Sequence, residues 1–269
     1  MTRASVSIDG HFGEWIQGRL GPGGPVVLIT MPCTRTGVDA HLAAQDDPDG
    51  ATGAPPATTD IMQRFSAALD IHLAGNVRLV PRVPAGLGTG VSTATLLALA
   101  DLAQWRGTPD ALARACIQAE GASDPLMFPA PERLLWASRE GVTYAHLPGL
   151  PQFEVVGGFR GGPSRTDARD NDFPDIADLV GAWRAARHLR EFAQLASESA
   201  RRCLALRGRV PDPTAALAAA TGALGWNIAH TGAARGLIFA PGTCPPDATD
   251  RMRAAGYHGV MRFQGGGAA

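Results

Sequence analysis

The 269-residue chain contains no lysine: its basic side chains are 24 arginines and seven histidines. A Walker-type phosphate loop needs a lysine after its last glycine, and a protein kinase needs a strand lysine, so both are excluded. Cysteine is scarce. Cys33, Cys116, Cys203 and Cys244 stand far apart and fit neither a zinc spacing nor a disulfide framework, which points to a reducing compartment. No apolar run is long enough to span a membrane, and no signal peptide opens the chain. Excess charge is missing too. The formal net charge is -1 and the arginines are scattered among acids, which argues against a nucleic-acid partner. The expectation is a cytoplasmic globular protein, 45% hydrophobic, long enough for one large or two modest domains.

Glycine is plentiful, and it is concentrated where it can act. The stretch Pro84-Ala85-Gly86-Leu87-Gly88-Thr89-Gly90-Val91-Ser92-Thr93-Ala94-Thr95 has three glycines at alternate positions, then hydroxyls, then the apolar run Leu96 to Leu102. Before it, Asn76 to Val83 alternates and is rich in β-branched residues, as a strand would be. The order strand, glycine loop, helix is the order of a phosphate site. Glycines let the backbone approach an anion, and a helix start offers unpaired N–H groups and the positive end of its dipole. The spacing G-x-G-x-G, a third of the way along the chain, is not that of a dinucleotide fold.

Downstream, Pro109 opens a helix that ends at Ala119-Glu120-Gly121, and Ala122-Ser123-Asp124-Pro125 follows. Two acids four apart around a glycine turn suit phosphoryl transfer, which uses one carboxylate for magnesium and often a second to accept a hydroxyl proton. Near the start, Ser5 to Gly18 and Pro25 to Met31 suggest a hairpin with Glu14 and Gln17 near its bend. Residues 44 to 60 read as a loop, and Asp60 can cap a helix through about Ala74. Gly141 to Leu147 and Phe153 to Phe159 read as strands. The polar run 161 to 172 reads as a loop; its Arg165 and the adjoining Arg160 are either solvated or hold a substrate carboxylate. One long helix is expected from Asp178 to Leu206 and another from Pro213 to Leu224. Gly225 to Phe239 then reads as strand, glycine turn, strand, with His230, Thr231 and Gly232 in the turn. A short helix near Asp250 to Ala255 and a strand from Tyr257 to Phe263 end the chain.

The glycine loop resembles the second motif of the GHMP kinases, P-x-x-x-G-L-G-S-S-A-A. Pro84, Gly88, Gly90, Ser92 and Ala94 match, while Thr89 replaces the leucine and Val91 the first serine. Gly13-Glu14 with Gln17-Gly18 resembles the G-E-x-x-Q-G opening of one branch, the L-threonine kinases of cobalamin synthesis associated with propanediol utilisation. Glu120 and Asp124 correspond, with one residue inserted, to that branch's E-P-T-D-S. Ala229-His230-Thr231-Gly232 followed by Gly236-Leu237-Ile238 is similar to its A-H-S-G and G-L-L. Leu87 stands where the branch often places lysine. The resemblance implies an α+β fold of two domains. Residues 1–150 would be an ATP-binding domain like ribosomal protein S5 domain 2, and residues 151–269 a ferredoxin-like domain. It implies ATP on Pro84, Gly86, Gly88, Thr89, Gly90, Val91, Ser92, Thr93 and Thr95. Magnesium would be held by Ser92 and Glu120, with Asp124 and Glu120 as the catalytic acids. Substrate would lie at Glu14, Gln17, His230, Thr231 and Gly232. The implied reaction is phosphorylation of a small hydroxylated amino acid, L-threonine first. The alternatives are another hydroxy acid such as homoserine, a sugar, or a binding homologue without turnover. Oligomeric state stays open, a homodimer being one option.

Overall fold

The computed structural model describes residues 5–43, 56–73, 75–164, 167–208 and 211–267. Residues 44–55 of the expected loop, Ala74 and Arg165 lie outside the described residues. The chain opens with two long strands, β1 (Ser5–Arg19) and β2 (Val26–Ala43), and continues with α1 (Thr59–Leu69), β3 (Asn76–Pro81), α2 (Val91–Leu102) and α3 (Pro109–Glu120). A short 3-10 turn (Pro131–Arg133) leads into β4 (Leu134–Ala137) and β5 (Val142–His146). The second half holds β6 (Phe153–Phe159), α4 (Ala177–Ala185), α5 (Leu189–Arg207), α6 (Thr214–Thr221), β7 (Gly225–Ile228), β8 (Ala234–Phe239), α7 (Ala248–Ala254) and β9 (His258–Gly265).

All nine strands form one antiparallel sheet in the order β5-β4-β2-β1-β7-β8-β6-β9, with β3 paired to β2. The last four have the 4-1-3-2 order of a βαββαβ ferredoxin-like unit, as the expected α+β fold requires. The two halves join through β1 and β7, where Glu14 pairs with Ile228. Helix α2 packs on β1 and β2, while α5 packs on β1 and β7. Burial continues across the join: Trp15 lies 4.8 Å from Phe153 and 5.9 Å from Trp183, ring to ring. Phe12 fills the space beside Gly157, where any Cβ would come within 2.4 Å of its ring.

Several expectations change. Glu14 and Gln17 do not sit near a bend, because β1 runs on through them to Arg19 and the turn falls at residues 20–25. Strand propagation wins here: register bulges around His11, Glu14 and Ile16 keep the ladder with β2 going past the glycines. The helix expected from Asp178 to Leu206 is two helices. The backbone amides of Arg187 and His188 both donate to the Glu191 carboxylate, at 2.7 and 2.9 Å, forming a capping box that starts α5 afresh. The cap of α1 is Thr58, whose Oγ1 accepts from the Ile61 amide, and not Asp60. Helix α1 ends at Leu69, short of Ala74, where Asp70 turns left-handed. Strand β4 had no counterpart among the expectations, since all four of its residues are buried and no alternation betrays it.

Candidate active site

The glycine loop links β3 to α2 as expected. Gly86, Gly88 and Gly90 all take positive φ, at 82°, 76° and 68°, which only glycine adopts without strain. The carbonyl groups of the loop face the protein. Gly86 O accepts from Ser164 N, Leu87 O from Ala233 and Ala234 N, Gly88 O from Gly13 N, and Thr89 O from His11 N, all within 2.8–3.1 Å. The amides do the opposite: among the described residues, no N–H from Gly86 to Thr93 donates to a protein acceptor. Gly90 caps α2 without a side-chain bond. A run of unpaired amides at a helix start with the dipole behind it is an anion cradle, and these residues fit a nucleotide phosphate chain.

Of the twelve residues of α2, all but Ser92 and Asp101 are buried, so Ser92 is the hydroxyl presented at the helix start. Its Oγ donates to Glu120 Oε1 in a short contact. Thr93 Oγ1 lies 3.5 Å from Asp124 Oδ2 and accepts the Asp124 amide at 3.3 Å. The structure thus brings both acids to the hydroxyls that the sequence set beside the loop. Helix α3 delivers them: Thr108 and Pro109 start it, and Gly121 stops it at φ 83°. One hydroxyl and one carboxylate are a suitable protein share for Mg²⁺, which takes its other ligands from phosphate and water. Among the described residues no group of three acid, histidine or cysteine side chains forms a dedicated metal cage. The four cysteines are buried and free.

Other expected residues face elsewhere. Val91 is buried in the core, and Thr95 turns its hydroxyl back to the Val91 carbonyl at 2.8 Å. Thr89 is buried with no partner for Oγ1, and Pro84 is exposed at the loop entrance. Leu87 packs into the core, which is what a leucine in the branch's lysine position is suited to do. Glu14 and His230 meet across the join. Glu14 Oε2 lies 3.3 Å from the His230 amide and 3.4 Å from Nδ1, while His230 Nε2 lies 3.1 Å from Ser199 Oγ. Gln17 is buried as well, held by its backbone amide to Ser199 Oγ, with its own Oε1 unpartnered. Gly232 presses against Gly88, where a Cβ on either would overlap the other turn. A cavity of about 380 Å³ beside this contact is lined by Arg160, Arg207, Arg235, His230, Thr231 and Gly232. A larger one of about 520 Å³ lies between Arg82 and His258, and neither cavity is lined by Glu120 or Asp124.

His11 was absent from the expectations. It lies buried in β1 with Nε2 3.2 Å from Asp124 Oδ2. Burial disfavours its charge, but Asp124 and, more weakly, Glu14 outweigh that and raise its pKa to about 9. Burial alone would raise the Asp124 carboxyl; His11 and Thr93 hold it below the ordinary value instead. Nothing in the spacing joins a histidine to an acid 113 positions away; only its place inside G-H-F-G-E could have drawn attention to it.

Neither a protein-family model nor a curated protein matches the sequence. Solved structures match along the whole chain. The mevalonate kinase of Leishmania major, solved with R-mevalonate, is 15% identical with a TM-score of 0.63, covering 100% of both chains. The homoserine kinase of Cytophaga hutchinsonii is 16% identical at TM-score 0.60, covering 99% of this chain and 95% of its own. The phosphomevalonate kinase of Streptococcus pneumoniae is 13% identical at TM-score 0.64, covering 99% and 100%. At such identities the likeness is one of fold, and from end to end this chain has the fold of these solved small-molecule kinases, the GHMP-kinase fold.

Proposed function

We propose that the protein is an ATP-dependent kinase that transfers the γ-phosphoryl group to the hydroxyl of a small amino acid, L-threonine giving O-phospho-L-threonine. The observation that carries the reading is the row of unpaired amides from Gly86 to Thr93, at a helix start whose Ser92 and Thr93 hydroxyls bond to Glu120 and Asp124. Residues 1–150 would hold the nucleotide and residues 151–269 complete the site. The amides and the α2 dipole take the phosphate charge. Ser92 and Glu120 would hold Mg²⁺, which supplies charge neutralisation on the transferring phosphates. Asp124, with 24% of its side chain exposed, orients the alcohol and accepts its proton. The alcohol oxygen bonds to the γ-phosphorus as the bond to the β–γ bridging oxygen breaks, and ADP leaves.

The choice of threonine is supported by the resemblance of Gly13 to Gly18 and of Ala229 to Gly232, two segments that meet through Glu14 and His230. An amino acid needs an acceptor for its ammonium group, which Asp124 can provide; Glu14, 6% exposed, gives its Oε2 to the amide and ring of His230. The amino acid also needs a donor for its carboxylate, and Arg160 lines the cavity beside Thr231 and Gly232. A site built for two charges rejects an uncharged alcohol, because its own polar groups would be left unpaired. A second reading, a homologue that binds ATP or a metabolite without turnover, draws on Val91, buried where the motif has a serine. ATP consumption with L-threonine, L-serine, L-homoserine, galactose and mevalonate, with products identified by phosphorus NMR, tests the set. L-threonine should react best and L-serine less well for want of the methyl contact. A preferred sugar overturns the amino-acid assignment, and nucleotide binding without turnover on any alcohol favours the second reading.

A further inference from the structure

The geometry points to His11 as the positioning residue of the transfer centre: seated in the space that Gly90 leaves open and anchored to the Gly13 carbonyl, it presents a cationic ring edge to Asp124 and fixes that carboxylate as the proton acceptor. The kinetic part of this inference rests on the phosphoryl-transfer reading; the charge state of the pair does not.

The protonation follows from what each ring nitrogen touches. His11 Nδ1 lies 3.1 Å from the Gly13 carbonyl oxygen, which can only accept, so Nδ1 carries a hydrogen. Nε2 is buried with no aligned hydrogen-bond partner and lies 3.2 Å from Asp124 Oδ2, so a neutral ring would set an electron-rich, unprotonated nitrogen beside a carboxylate oxygen. Either the ring is an imidazolium or the carboxyl is protonated. The surroundings favour the ion pair. Thr93 Oγ1 donates to the same Oδ2, a bond that suits a carboxylate. Glu14, in the same strand, adds a second negative charge toward His11, and the His230 ring beyond it bonds to Glu14 and Ser199. The resulting pKa of about 9 keeps the ring charged at neutral pH although it is buried. Gly90 is part of the device, since a Cβ there would lie 2.5 Å from the ring Cδ2 and 2.9 Å from Nε2. The backbone joins it to the nucleotide cradle, because the His11 amide donates to the Thr89 carbonyl at 3.1 Å. In a chain without lysine, the cation beside the acid is thus an imidazolium, which holds Asp124 ionised.

Two measurements on the full chain test this. In the first, imidazole ring signals are followed by NMR from pH 5 to 10.5, in wild type and in Asp124→Asn. His11 should titrate near 9 in wild type and at least one unit lower in the variant. Titration of wild-type His11 at or below 6.5 overturns the inference, whatever the enzyme does. In the second, kcat and KM are measured against pH for His11→Gln and His11→Lys, with whichever alcohol of the panel turns over. His11→Gln should lower kcat about tenfold or more, leave KM for ATP within about twofold, and lose the alkaline limb near pH 9. His11→Lys should recover part of kcat and move that limb upward, as an ammonium titrates near 10.4. A His11→Gln enzyme with wild-type kcat and an unchanged alkaline limb overturns the positioning role. If no alcohol is phosphorylated, the kinase reading falls by itself and the NMR titration still decides the pair. If His11→Gln does not fold, His11→Lys and the wild-type titration carry the test.

Discussion

Two carboxylate–histidine pairs lie close together in this molecule. Asp124 with His11 stands at the mouth of the glycine loop, and Glu14 with His230 stands at the join of the two halves. Both put a ring nitrogen within 3.4 Å of a carboxylate oxygen, and both histidines are buried. The acids differ. Asp124 keeps 24% of its side chain exposed and adjoins unpaired amides, whereas Glu14 keeps 6% and spends its Oε2 on the amide and ring of His230. The first acid can meet a substrate; the second mainly ties β1 to the turn before β8. Residue type and even partner type do not separate a reacting pair from a bracing pair. What separates them is how much of the carboxylate the fold leaves exposed, 24% at Asp124 against 6% at Glu14.

The contrast can be broken or sharpened by substitution. The largest effect is expected at Asp124. Asp124→Asn should lower kcat by about 10² or more, in the range of a lost general base, with affinity for an ATP analogue kept within about twofold. Wild-type turnover in that variant would remove Asp124 from the reaction. Next comes the loop. Gly90→Val forces a branched side chain to φ 68° and into the His11 ring, so calorimetric affinity for a non-hydrolysable ATP analogue should fall at least about tenfold. Undiminished affinity would mean the phosphates bind elsewhere. The bracing pair should answer differently: Glu14→Ala should destabilise the fold by about 1–3 kcal/mol in urea unfolding, as the His230 amide and ring lose their acceptor. A catalytic loss as deep as that of Asp124→Asn, with stability unchanged, would reverse the roles assigned to the two pairs. Glu120→Gln should raise the Mg²⁺ concentration needed for half-maximal rate several-fold while saturating magnesium restores most of kcat. An unchanged requirement would move the ligand elsewhere.

The smallest effect is on stability against pH. His11 is buried, which disfavours its charge, yet Asp124 and Glu14 raise its pKa to about 9 in the folded chain, from about 6.5 for a free imidazole. Its pKa is raised on folding, so its contribution is fully present below about pH 6.5 and is lost as pH rises toward 9. Asp124 has the opposite sign: its carboxyl is lowered, so its contribution is present above its ordinary value and lost as pH falls through the folded one. Urea midpoints of wild type and Asp124→Asn at pH 6 and 9.5 measure the alkaline part. The wild type should lose more stability over that interval than the variant, and equal losses would argue against a coupled pair.

Much of the site was legible in the chain because its chemistry is local. Three alternate glycines, hydroxyls and an apolar run specify a loop entering a buried helix, since each residue meets a requirement of its own backbone position. The acidic turn was legible for the same reason: Thr108 and Pro109 start α3, and Gly121 ends it between the two acids. The ferredoxin-like half was implied by the resemblance and fits the order of helix and strand patterns, whereas its 4-1-3-2 pairing is visible only in the sheet. What failed was read from single residues without their neighbours. The break before α5 depends on one carboxylate reaching back to two amides. Strand β4 depends on burial of all four of its residues.

By itself, then, the sequence determined where phosphate-binding backbone could form, which acids follow it, and that no lysine could serve them. The tertiary structure alone decided which polar groups remain unpaired. Turning the carbonyls of residues 86–89 toward Ser164, Ala233, Ala234, Gly13 and His11 takes donors from three distant segments and leaves the loop amides outward. Setting His11 against Asp124, while Glu14 is closed off by His230, takes bulges in β1 and the pairing of Glu14 with Ile228. The physical reason is one of range. Backbone conformation is set by a residue and its nearest neighbours, whereas charge and hydrogen-bond satisfaction are set by whatever the fold brings within about 3 Å, and that distance has no counterpart along the chain.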